Sequence, residues 1–126
     1  MRSGRVVIRE ERIAGREAEI YARMSARVVS ALWEVNGPEP GLLARRVPVV
    51  APRQGAFREA FTDGMNAFFY ERGDVGSLAS LLRRLALTPA LLETAAARCQ
   101  MDERFSRESF ADKHVALYQK VLAARR

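Results

Sequence analysis

The chain has 126 residues, 48% of them apolar and 29% charged, with a formal net charge of +6. That size fits one domain, and that balance excludes a disordered or fibrous chain. No apolar run approaches the ~18–20 residues of a membrane helix, and the opening "MRSGRVVIREER" turns charged too early for a secretory signal, so a cytoplasmic location is expected.

Residues 5–8, "RVVI", read as a short strand. A helical segment follows over 15–26, with Ile20, Tyr21 and Met24 on one stripe. "RVVSALW" (27–33) is short, apolar and β-branched, as a buried strand should be. The loop 34–40 carries Glu34, Asn36, Gly37, Pro38, Glu39 and Pro40. A short helix is expected over 40–46, with Pro40 at a first-turn position that needs no donor. "VPVVA" (47–51) is the next strand, and Pro48 must lie early in it or where no ladder bond is required.

"PRQG" (52–55) turns into the helical "AFREAF" (56–61), and "TDGMN" (62–66) turns into the strand "AFFY" (67–70). After "ERGD" (71–74) the pattern is helical throughout. Leu78, Leu81, Leu82 and Leu85 form one buried stripe. Thr88 and Pro89 read as N-cap and first residue of a helix whose stripe is Leu91, Leu92, Ala95, Ala96 and Cys99. The last helix starts near Ser106 or Arg107, with Phe110, Leu117, Tyr118, Val121 and Leu122 on its apolar face. Strands alternating with helices, joined by connections too long for hairpins, signal βαβ units and a parallel sheet. The expected organisation is one domain over 1–126, with a βα core at 1–87 and C-terminal helices at 88–126.

Ligands of open α/β sheets sit beyond the carboxyl ends of the strands. Three loops meet that condition: 34–40, 52–56 and 71–75. In the first, the N–H groups of Gly41, Leu42 and Leu43 open a helix and suit a phosphate. Gly37 and Gly41 permit close approach to the backbone, and Glu34 can accept hydrogen bonds from sugar hydroxyls. The alternative is a plain turn in which Glu34 and Glu39 are solvated. The second loop repeats the arrangement with Gly55, and Glu59 there either serves a ligand or balances a helix N-terminus. Asp74 reads as an N-cap.

Other chemistry is sparse. Cys99 is the sole cysteine, which leaves no disulfide and no cysteine metal cluster. His114 falls on an apolar stripe and reads as a packed helix residue. No nucleophile triad, metal spacing or phosphate loop of the Gly-Lys-Ser/Thr type is present. Of the 21 basic residues 19 are Arg, but they form pairs rather than a block. They read as solvated helix faces, and no nucleic-acid partner is expected.

The stretch "VVSALWEVNGPEPGLLARRVPVVAPRQGAFREAFTDGMNAFFYERGDVGSLASLL" resembles the donor-binding half of retaining family 4 (group 1) glycosyltransferases of the GT-B fold. The pieces are the serine-ended strand with its Glu- and Gly-containing loop, the strand at 47–51, the Gly55–Glu59 turn, the Asp63–Asn66 turn, the strand ending at Tyr70 and the Gly73-Asp74 helix start. "RFSRESFADKHVALYQKVL" (104–122) resembles the family's C-terminal helix. The resemblance covers roughly residues 16–122. It implies a partial, Rossmann-like GT-B C-terminal domain: an α/β fold with a small parallel sheet, flanking helices and a helical tail.

It also implies transfer of a sugar from a nucleotide-sugar donor to an acceptor hydroxyl, with retention and without metal or other cofactor. Donor contacts fall on Glu34, Asn36, Gly37, Gly41, Leu42, Gly55 and Glu59, with no catalytic residue assigned. The chain departs from the pattern in three places. The family's second glutamate falls at Gly41 or Leu42, Arg46 replaces a small glycine before a strand, and Ala56 replaces the second glycine of a turn. The resemblance reaches about the last third of such an enzyme. The chain is therefore expected to be a fragment or split subunit, inactive alone and dependent on a separate chain for the acceptor domain. Otherwise it is a non-catalytic nucleotide- or protein-binding relic. Self-association through the last helix is a further expectation.

Overall fold

A computed structural model describes residues 15–32, 41–100 and 103–124. The expected strand at 5–8 and the loop residues Trp33 to Pro40 lie outside the described residues. The elements are α1 (Glu17–Tyr21), β1 (Arg27–Val28), α2 (Gly41–Ala44), β2 (Val49–Pro52), α3 (Gly55–Ala60), β3 (Ala67–Tyr70), α4 (Val75–Leu87), α5 (Ala90–Arg98), a 3₁₀ turn (Glu103–Phe105) and α6 (Arg107–Ala124). The three strands are parallel in the order β1-β2-β3.

β2 is the central strand, and all four of its residues are buried. Alternation of side chains divides them between two cores. Val49 and Ala51 pack with Tyr21, Leu42, Leu43, Phe57 and Cys99 on one face. Val50 packs with Phe68, Tyr70, Leu85 and Ala95 on the other. α5 thus serves both cores, through Ala95 and through Cys99 just past its end. Cys99 donates its thiol to the Asn66 carbonyl at 3.7 Å, and burial raises its pKa, which makes it a small packing residue.

β1 is shorter than the 27–33 expected, and its neighbour supplies the reason. Arg27 and Val29 donate to the carbonyls of Pro48 and Val50, at 3.0 and 2.8 Å. Residues of that parity on the partner strand therefore face β1. Pro48 and Pro52 share the parity, and neither has an N–H to give. Two prolines on the facing strand bound the ladder at both ends, so it spans two residues. α1 is likewise shorter than expected. α5 begins at Ala90 with Pro89 as N-cap and no side-chain cap, while Thr88 ends α4. The shift is within the one or two residues by which helix ends vary.

α2 ends in a Schellman turn. Val47 donates to the Leu42 carbonyl at 3.0 Å and Arg46 to the Leu43 carbonyl at 3.1 Å, with Leu42 and Val47 both in the core. The position after the helix cap is Arg46, at φ +56°. That left-handed conformation favours glycine and costs another residue ~1–2 kcal/mol. Arg46→Gly is expected to raise stability by about 0.5–1 kcal/mol, net of glycine's extra chain entropy, read as a higher urea midpoint with unchanged slope. A lower midpoint would show that the arginine side chain contributes more than its backbone costs.

Candidate functional site

The carboxyl ends of the three strands converge on a slot of about 200 Å³, lined by Ser30, Leu32, Pro52, Tyr70, Asp74 and Leu78 among others. Each strand contributes its last residue or the residues just past it, so parallel topology assembles the slot. Tyr70 braces it by donating its hydroxyl to the Val29 carbonyl at 2.8 Å, a tie from β3 across β2 to the end of β1. Burial pushes the Tyr70 phenol up from its ordinary pKa and keeps it protonated as a donor.

α4 opens beside the slot. Asp74 is its N-cap, accepting from Ser77 N–H at 2.9 Å, as expected. Gly73 precedes it at φ +79°, the left-handed turn that brings the chain from β3 into the helix. The β2–α3 junction is built differently. Gln54 holds the N-cap position of α3 without making a side-chain cap, and its Nε2 is buried without a hydrogen-bond partner. A buried donor in that state is under-satisfied by ~1–3 kcal/mol.

The residues expected to contact a donor are placed as follows. Glu34, Asn36 and Gly37 lie outside the described residues. Gly41 opens α2, which is a single turn of four residues. The Leu42 side chain is buried in the core, leaving only its backbone to face a ligand. Gly55 opens α3 with open space where a Cβ would be. Glu59 is exposed on α3, beyond the first turn, where the helix dipole has largely faded. Gly41, Leu42, Gly55 and Glu59 do not line the slot. The 71–75 loop, one of the three expected ligand loops, supplies Gly73, Asp74 and Val75, and the rest of the lining was missed because it is made largely of strand ends that read as plain core residues. The signal that could have found it was the position of Ser30, Pro52 and Tyr70 at three adjacent strand ends.

His114 behaves as a packed helix residue. Its Nδ1–H donates to the Phe110 carbonyl at 2.8 Å, and its ring lies 3.9 Å from the Phe110 ring. Among the described residues no group of three His, Cys, Asp or Glu is placed to hold a metal ion. No single described helix is long and apolar enough to cross a membrane.

No protein-family model matches the chain. No curated protein matches it either. Among solved structures it is similar to sucrose-phosphate synthase from Thermosynechococcus elongatus, with a TM-score of 0.71 and 23% identity, over 83% of this chain and 27% of that one. The chain shares the fold of the matched part of that structure, a small parallel α/β sheet with flanking helices and a C-terminal helix. It spans about a quarter of the length of the structure it matches.

Proposed function

We propose that this chain supplies nucleotide-sugar donor contacts for a retaining glycosyltransferase of family 4 type, acting with a separate chain that carries the acceptor domain. The observation that carries this reading is the open carboxyl edge of a parallel sheet in a glycosyltransferase fold, where three βα junctions converge. Glu34 accepts hydrogen bonds from the donor sugar. Asn36, Gly37, Gly41 and the Leu42 backbone meet its phosphates, and Gly55 leaves room for approach at the second junction, with Glu59 as the further carboxylate there. The unpartnered Gln54 Nε2 is a donor of the kind a ligand oxygen satisfies. The reaction needs no resident metal or cofactor, and the chain alone is inactive.

Calorimetric titration with UDP-, GDP- and ADP-sugars tests this. One of them is expected to bind, and Glu34→Ala is expected to weaken it at least about tenfold through loss of a charge-assisted hydrogen bond. Absence of binding to all three would remove the donor-site reading. A second reading, a non-catalytic nucleotide- or protein-binding relic, draws support from the position of the second glutamate. It is occupied by Gly41 or by Leu42, whose side chain is 3% exposed and committed to the core.

A further inference from the structure

We propose that Arg53 is a positioning residue of this crevice, a side chain that contacts no ligand but holds the β2–α3 and β3–α4 junctions in one geometry. The inference rests on the donor-site reading above.

Arg53 follows the last residue of β2. Its backbone N–H donates to the Tyr70 carbonyl at 2.8 Å, extending the ladder by one bond. Its guanidinium then spans two loops. Nη2 lies 2.8 Å from Asp63 Oδ2, and Nε lies 3.1 Å from Glu71 Oε1. The guanidinium also stands over the Phe69 ring, 5.6 Å from its centroid. Asp63 is itself anchored through its other carboxylate oxygen, and Glu71 through its backbone. Asp63 Oδ1 accepts from Phe69 N–H at 3.0 Å. The Glu71 N–H donates to Ser77 Oγ at 3.0 Å, and Ser77 N–H donates to Asp74 on the wall of the slot. A continuous chain of bonds thus runs from the start of α3 to the start of α4.

Three features give this chain a positioning role. The ion pairs are exposed, with 40% of the Arg53 side chain accessible, and such pairs add little to global stability. A planar fork held by two acceptors and a ring nevertheless has a single orientation. α3 also lacks a side-chain N-cap and has only six residues, so the junction before it has no lock of its own. The hydrogen bonds to Asp63 and then Glu71 raise the Arg53 pKa further, and its guanidinium stays charged.

The test pairs amide hydrogen exchange with ligand titration on Arg53→Met, which keeps the stem over Phe69 and removes the donors, and on Arg53→Lys. In Arg53→Met, the hydrogen-bonded amides of Arg58 at the first junction and of Glu71, Asp74 and Ser77 at the second are expected to exchange about tenfold faster while Val50 and Phe68 in the strands are unchanged. Affinity for the bound sugar nucleotide should fall about tenfold through lost preorganisation, with partial recovery in Arg53→Lys. Unchanged exchange at both junctions would overturn the proposal. Equal acceleration in the strands would also overturn it, because the effect would then be global. Faster junctions with unchanged affinity would do the same. If the unaltered chain binds none of the sugar nucleotides, the donor-site reading falls, and the exchange measurement alone decides whether Arg53 is the clamp.

Discussion

Phe57→Ala should destabilise the protein by ~3–5 kcal/mol, the usual range for truncating a buried phenylalanine. Phe57 is 2% exposed and packs with Phe61 at a ring-centroid distance of 6.4 Å, in the same cluster as Val49 and Ala51 of the central strand. α3 has only six residues, too few to be helical without an anchor. Removing the ring leaves a cavity against β2 and releases the helix that begins at the β2–α3 junction. Domains of this size are stable by ~5–15 kcal/mol in total, so the loss is a large fraction of the whole and the urea midpoint should fall in proportion. Urea titration followed by circular dichroism measures it. Leu87→Ala is the contrasting control: Leu87 is 78% exposed at the end of α4, and its loss should change stability by less than about 0.5 kcal/mol. Equal losses from the two variants would refute the assignment of the core.

The second large effect concerns association. α6 has eighteen residues, none of them buried, and Phe110, Leu117, Tyr118, Val121 and Leu122 are all exposed. Phe110, His114, Leu117, Val121 and Ala124 recur at four- and three-residue spacing, the seam of a helix that pairs with another. An isolated helix of this length is marginal in water, and an exposed apolar face of this extent favours association. We propose that a second copy of the chain covers it. Light scattering is expected to show a concentration-dependent dimer, and Leu117→Asp with Val121→Asp should return it to monomer and abolish the concentration dependence of the urea midpoint. A clean monomer for the unaltered chain at high concentration would rule this out.

Much of the βα order could be read without coordinates. "PVV" and "AFFY" are apolar on both faces of a covered sheet, and Asp-Gly, Gly-Asp and Thr-Pro mark where the chain turns. The Asp74 cap depends on residues three apart, and the 3.6-residue repeat of leucines sets the inner face of α4. These features are local, so propensity and spacing determine them.

What only the tertiary structure decided depends on residues far apart in the chain. The short β1 follows from prolines on the strand opposite, about twenty residues later. The slot closes through Tyr70 reaching Val29 across 41 positions. The rim is tied by Arg53 to Asp63 and Glu71, ten and eighteen residues away. Both α4 and α6 carry apolar residues at three- and four-residue spacing, yet Leu85 is buried and Leu117 is exposed. Periodicity states which face of a helix is apolar. Whether another surface covers that face is settled by the arrangement of the whole chain, because burial requires a partner in space.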